Sequence, residues 1–323
     1  MMSYSYLLIT PGFLLSNNTM ITFIKKLSQT LTTTILTTAF KTDFYMNQPY
    51  EEIKEKMNEN LDKIDIIVCN HMSTVDWLLI MTYLQKFNIS GINLVLRKGI
   101  VYWPGFGLTM YANTDIKVDR HWETDQKNLG KQLNEIKTGN EKQVIIIFPE
   151  GTRFTPEKLE EAHKYANENN IPIYNNVLIP KTKGTWFIVN HLAKTNRLGR
   201  IWDITLVSPK FINKTAYLED IFGKELGPLY ADFRELQLID NFPDLEIFRK
   251  WFLENWKIKD EFFQKYKDLQ QFEKLTFRDN KYNHLAIITT ICTIFTIFLT
   301  NKWTRYYLLG SLLLAYILII FKL

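Results

Sequence analysis

Three clusters of polar residues interrupt apolar runs in the middle of this chain, and each is equipped for chemistry. In the first, Asn70-His71-Met72-Ser73-Thr74-Val75-Asp76-Trp77, a histidine stands five residues before an aspartate. Histidine is the usual general base near neutral pH, and a carboxylate on its second ring nitrogen fixes the tautomer and steadies the imidazolium. Within one helix, positions i and i+5 diverge by about 140°, so His71 and Asp76 meet only if His71 precedes the helix and the chain folds back. Ser73 and Asp76 also fit a capping box with Ser73 as the cap, and both readings can hold at once. The second cluster is Phe148-Pro149-Glu150-Gly151-Thr152-Arg153. A carboxylate, a glycine and an arginine in a tight turn suit a polar or phosphorylated ligand, or a surface turn with an exposed ion pair. In the third, Arg97-Lys98-Gly99 and Val118-Asp119-Arg120 flank the apolar segment Trp103–Gly107. Lys98 and Arg120 could take a phosphate or stand in solvent, and the apolar segment could line a chain-binding groove.

These clusters need strand ends to hold them. Ile64–Cys69, Ile92–Leu96, Asp115–Val118, Val144–Phe148, Val177–Pro180 and Asp203–Val207 read as strands from their apolar, β-branched content. Asp76–Phe87 and Thr124–Ile136 read as helices, and Thr155-Pro156-Glu157 is a helix start with a cap residue, a proline and an early acid. Asp244–Phe272 reads as one or two amphipathic helices. Strands alternating with helices predict an α/β domain with a mostly parallel sheet, whose ligands bind beyond the strands' carboxyl ends.

The charge is placed unevenly. There are 39 Lys and Arg against 34 Asp and Glu, a net +5. Residues 1–42 hold Lys25, Lys26 and Lys41, residues 284–323 hold Lys302, Arg305 and Lys322, and neither end holds an acid. The middle is therefore near neutral and has no cationic excess for a nucleic acid. Leu285–Leu299 and Tyr306–Phe321 are uncharged apolar runs around a short polar link. As helices they would reach about 22–24 Å, short of a ~30 Å hydrocarbon core unless flanking residues extend them. They read as a transmembrane or re-entrant hairpin, the alternative being a helix pair buried in a soluble fold. Residues 1–42 read as a membrane-associated segment; a signal peptide or transit peptide fits poorly, with no basic region before the apolar part and no arginine before Arg97. The expected organisation is 1–42 on the lipid bilayer, an α/β domain with C-terminal amphipathic helices over 43–283, and the hairpin over 284–323. Lys274, Arg278 and Lys281 ahead of the hairpin favour an integral membrane protein with its main domain on the cytosolic side.

Other chemistries find little footing. Cys69 and Cys292 form no disulfide framework or CxxC pair, and His121, His163, His191 and His284 do not cluster at metal spacing. There is no GxSxG elbow, no GxxxxGK[ST] loop and no HExxH. No metal is expected.

In order and spacing, Asn-His-x-Ser-x-x-Asp-Trp, Asp-Arg, Phe-Pro-Glu-Gly-Thr-Arg and Ile-Pro-Lys resemble the glycerolipid acyltransferases, over Asn70 to about Gly184. The pattern looks like the 1-acyl-sn-glycerol-3-phosphate acyltransferase family. Val177–Gly184 and Trp251–Phe272 resemble its branch of lysocardiolipin and lysophosphatidylinositol acyltransferases, although Ile179 stands where a histidine often precedes the proline. The resemblance implies acyl transfer from acyl-CoA to the free hydroxyl of a lysophospholipid, with His71 as base, Asp76 orienting it, and no cofactor beyond the CoA carrier. It also implies acceptor binding by Glu150, Gly151, Thr152, Arg153 and Arg120; Lys98 is added from its charge alone. A remodelling enzyme acting on lysophosphatidylinositol or lysocardiolipin is the alternative within the class. A non-catalytic membrane lipid-binding protein on the same fold is the alternative outside it.

Overall fold

The computed structural model describes residues 43–99, 115–212, 214, 227–238, 244–266 and 272–275. The N-terminal segment, the Trp103–Gly107 segment and the C-terminal hairpin expected above lie outside the described residues.

The elements run β1 (Phe44–Met46), α1 (Tyr50–Asn58), β2 (Ile64–Cys69), α2 (Asp76–Lys86), β3 (Gly91–Arg97), β4 (Ile116–Val118), α3 (Trp122–Glu135), β5 (Gln143–Ile147), α4 (Pro156–Asn169), α5 (Thr182–Lys194), β6 (Leu198–Val207), β7 (Leu229–Leu236), α6 (Leu245–Lys265) and β8 (Glu273–Leu275). The strands form a single sheet in the order β4-β3-β5-β2-β6-β7-β1-β8. The block from β4 to β6 is parallel throughout, whereas β7 runs against β6 and β8 against β1. The α/β reading and the mostly parallel sheet therefore stand.

Every residue of β2 and of β5 is buried, as expected of strands covered on both faces. Strand alternation divides β2 between two cores. Ile67 and Cys69 pack with α1 and α2, against Met57, Leu79, Tyr83 and Phe87. Ile64, Ile66 and Val68 pack on the other face with α3, α5 and α6, against Leu133, Val189, Phe252 and Trp256. The result is a helix–sheet–helix sandwich.

Two expectations change. Val177–Pro180 is not a strand. Val177 and Leu178 are buried and Ile179 is half-buried, but the segment is held by side chains: the Trp256 indole donates to the Leu178 carbonyl at 3.0 Å, and Asp260 accepts from the amides of Asn175 and Asn176. An apolar run signals burial, and here burial comes without a ladder. The strand expected at Asp203 begins five residues earlier, at Leu198, and α6 is one continuous helix. Among the described residues no helix is long and apolar enough to cross a membrane.

Register places the clusters together. Val68 pairs with Ile147, so the chain leaves β2 and β5 side by side, at His71 and at Phe148–Glu150. Arg97 pairs with Val118, which brings Lys98, Asp119 and Arg120 to the same carboxyl edge.

Candidate active site

The site begins with a turn held to the sheet. The buried Asn70 side chain donates to the Leu206 carbonyl at 2.9 Å and accepts from the Leu206 amide at 2.8 Å. It thereby imitates one more pairing step between β2 and β6 before the chain turns outward. His71 follows, and its Nδ1 lies 2.8 Å from Asp76 Oδ2. Asp76 is the first residue of α2, where the helix dipole favours a carboxylate. Its side chain is fully buried, whereas that of His71 keeps 21% exposure. Ser73 completes the arrangement: its amide donates to Asp76 Oδ2 at 2.8 Å and its hydroxyl to Oδ1 at 2.5 Å. Only half of the anticipated capping box forms, because the helix starts at Asp76 with Val75 as cap, and the Ser73 hydroxyl accepts from the Val75 amide. A carboxylate only accepts, so the contact suits the tautomer with its proton on Nδ1, in which Nε2 holds the lone pair.

The Phe148–Arg153 turn clamps the backbone of the same histidine. The Gly151 amide donates to the Phe148 carbonyl at 3.0 Å, and Gly151 adopts φ +68°, a conformation suited to glycine. Glu150 is turned inward. It is 3% exposed, and its Oε1 accepts from the His71 amide at 3.3 Å. On the other side the Phe154 amide donates to the His71 carbonyl at 2.7 Å. The Phe148 ring lies 4.6 Å, centroid to centroid, from the imidazole. Burial pushes the Glu150 carboxyl well above the usual range; the amides of His71 and Leu178 and the Lys259 ammonium pull it down, while Asp76 adds to the rise. Glu150 Oε2 is buried without a hydrogen-bond partner among the described residues.

The cations divide. Arg120 is exposed and adopts φ +67°, a left-handed conformation that costs a residue with a large side chain on the order of 1 kcal/mol. From there its Nη2 donates to the Gly151 carbonyl at 2.7 Å. Arg153 Nη1 donates to the Thr74 hydroxyl at 2.7 Å, tying the second cluster to the first. The Thr152 hydroxyl accepts from the Lys158 ammonium. Lys98 is drawn elsewhere, into a pair with Asp119 at 3.4 Å, and among the described residues no contact brings it to the Gly151 turn. The structure thus gathers His71, Asp76, Glu150, Gly151, Thr152, Arg153 and Arg120 into one place and leaves Lys98 at its margin.

Two residues of this region, both within the segments that carry the resemblance, were assigned no role from the sequence. Lys181 donates its amide to the Pro149 carbonyl at 2.8 Å. Lys259 is wholly buried on α6, 2.6 Å from Asp203 Oδ1 and bonded to the Ile204 carbonyl at 2.6 Å. The sign of Lys259 was available: a lysine stands on the apolar stripe Phe248, Phe252, Trp256, Phe263. Among the described residues no cluster of three or more His, Cys, Asp or Glu is placed to hold a metal.

A polarised histidine beside exposed cations can deprotonate a hydroxyl next to a bound anion. Known proteins resemble this chain in sequence. The family described as Acyltransferase matches residues 52–192. The chain is 30% identical over 251 residues to a probable 1-acyl-sn-glycerol-3-phosphate acyltransferase 5 of Arabidopsis thaliana, covering 75% of this chain and 66% of that protein. It is 30% identical over 164 residues to lysocardiolipin acyltransferase 1 of Gallus gallus, covering 50% and 43% respectively. The crystal structure of the 1-acyl-sn-glycerophosphate acyltransferase PlsC from Thermotoga maritima is similar at 18% identity and a TM-score of 0.49, covering 80% of this chain and 88% of that one. The chain thus spans about two thirds of the first relative's length and less than half of the second's. The matched stretch runs from α1 to α5 and contains the His–Asp pair and the turn that clamps it, so residues 52–192 form a domain that matches the acyltransferase family.

Proposed function

We propose that this protein transfers an acyl group from acyl-CoA to the free hydroxyl of a lysophospholipid, with 1-acyl-sn-glycerol-3-phosphate as the acceptor and phosphatidic acid as the product. The observation that carries the reading is the 2.8 Å contact between His71 Nδ1 and a fully buried Asp76. It leaves Nε2 as the ring nitrogen able to accept a proton. In the proposed reaction Nε2 takes the proton of the glycerol hydroxyl as its oxygen attacks the thioester carbonyl. The carbon–sulfur bond then breaks, and the imidazolium returns the proton to the departing CoA thiolate. No acyl-enzyme is required, and no cofactor besides the donor's own carrier. Asp76 stabilises the imidazolium in transit. Glu150 acts through His71, whose amide it holds; Arg120 and Arg153 face the acceptor's phosphate. The acid-free apolar ends would keep the domain at the bilayer where both substrates lie.

A second acceptor is supported by the similarity to a protein named lysocardiolipin acyltransferase. On that reading the same chemistry remodels lysocardiolipin or lysophosphatidylinositol. Purified protein assayed with acyl-CoA against a panel of lysophospholipids, with products identified by mass, decides between them. His71→Ala should abolish transfer in every case while leaving the fold intact. Full activity in that variant would refute the mechanism.

A further inference from the structure

The chain between α4 and α5 joins neither a helix nor a strand ladder, so its position is set by side chains from elsewhere, and these come from α6. Asp260 accepts from the Asn176 amide at 2.6 Å and from the Asn175 amide at 3.0 Å. The Trp256 indole donates to the Leu178 carbonyl at 3.0 Å, and the Tyr174 hydroxyl donates to the Leu253 carbonyl at 2.9 Å. Tyr174, Trp256 and Asp260 are all buried. Backbone groups in such a place must find partners, and the segment can satisfy these only where α6 puts them. The far end of the same segment touches the site. The Lys181 amide donates to the Pro149 carbonyl at 2.8 Å, one residue before Glu150, and the Leu178 amide is near enough to the Glu150 carboxyl to favour its charged form. Glu150 in turn accepts from the His71 amide. A continuous series of contacts therefore runs from helix to segment, from segment to turn, and from turn to histidine. It starts outside residues 52–192, the stretch that matches the family.

We propose that α6 is a working part of the active site as well as a cover for the sheet: Asp260 and Trp256 are positioning residues that set His71 through the Tyr174–Lys181 segment and the Glu150 turn. The expected effect on rate rests on the acyltransferase reading above; the expected effect on the placement of His71 does not.

Asp260→Ala removes the acceptor of two amides, Asp260→Asn keeps an oxygen for them, and Trp256→Phe removes the indole donor while keeping a ring. In steady-state assays of the full chain, Asp260→Ala should lower kcat about tenfold and leave KM for acyl-CoA and for the acceptor within about twofold. Asp260→Asn should recover most of the rate. Trp256→Phe severs the same brace at a different bond and should show the same pattern, so it carries the test if Asp260→Ala fails to fold. A double-mutant cycle separates positioning from general loosening. If the effect passes through Glu150, most of the loss from Asp260→Ala or Trp256→Phe should vanish in a Glu150→Ala background. Equal fold-losses in both backgrounds, unchanged kcat, or a loss carried by KM would overturn the proposal. A second measurement needs no turnover. Hydrogen exchange read by mass spectrometry should quicken in the peptides holding Asn70–Val75 and Phe148–Arg153 of either variant, and stay unchanged in α1. Unchanged exchange around His71, or an equal rise in α1, overturns the positioning role even if the protein proves inactive on every lysophospholipid.

Discussion

Glu150 is where two accounts of the turn diverge most sharply in their consequences. If its carboxylate held the acceptor, replacing it would weaken acceptor binding. In the structure the carboxylate is 3% exposed and its Oε1 accepts from the His71 amide at 3.3 Å, so replacement should disturb the base instead. Glu150→Ala leaves that amide without a partner in a buried place, which costs about 1–3 kcal/mol. If the whole of that cost falls on the placement of His71 in the transition state, kcat drops roughly five- to hundredfold, at about 1.4 kcal/mol per tenfold, and KM for the acceptor stays close to its original value. Glu150→Gln keeps an oxygen for the amide and is neutral, the state that burial favours, so it should recover most of the rate. Linkage supplies an independent readout. The folded-state pKa is raised, so Glu150 carries no penalty below the unfolded value of about 4.3. Above it the unfolded chain ionises first, the folded state binds more protons, and stability falls as pH rises toward the folded pKa. The Tm advantage of Glu150→Gln over the natural protein should therefore widen as pH rises from about 4.3. Urea or thermal melts across pH, together with acyl-transfer kinetics, make the assay. A rise in acceptor KM of similar size in both variants, with kcat intact, would refute the positioning role.

Two further substitutions test other parts of the structure. Asp76→Asn should keep the fold but present an amide to Nδ1 that favours the wrong tautomer, lowering kcat by about 10³–10⁴ with little change in KM, as steady-state kinetics and circular dichroism would show. At the opposite end of β2, about 20 Å from the site, Asp65 and Lys142 form a 2.7 Å ion pair with both side chains buried, and burial raises the Asp65 carboxyl although Lys142 pulls it down. Lys142→Met should cost about 3–5 kcal/mol in urea unfolding, Asp65→Asn/Lys142→Met should recover most of that, and the folded fraction of each should keep its specific activity.

What the chain discloses in advance follows from how each residue is held. β2 and β5 were legible because strands buried on both faces must be apolar along their whole length. The Thr155 start of α4 was legible because capping is local: its hydroxyl accepts from the Lys158 amide three residues on. β1, β7, β8, α1 and α5 were not read. β1 and β8 are three residues each and owe their pairing to partners far along the chain, a cost that no local pattern records. Lys98 and Arg120 show the same limit within the site. Both are cations beside strand ends, and their types do not separate them. Asp119 takes the first, while a left-handed backbone turns the second toward Gly151.

Orientation is likewise what divides the Glu-Gly-Thr-Arg turn, whose neighbouring residues serve opposite sides. Its carboxylate faces inward to the backbone of the base, its glycine is left bare between Arg120 and Lys181, and its arginine reaches across to Thr74. A side chain at Gly151 would displace the lysine, and an outward Glu150 would neutralise both cations and release His71. The two halves of the motif are therefore coupled through the direction of a single turn. On this argument a substitution at Gly151 should disturb the histidine and the Lys181 side chain together, whereas one at Lys181 should leave the histidine in place.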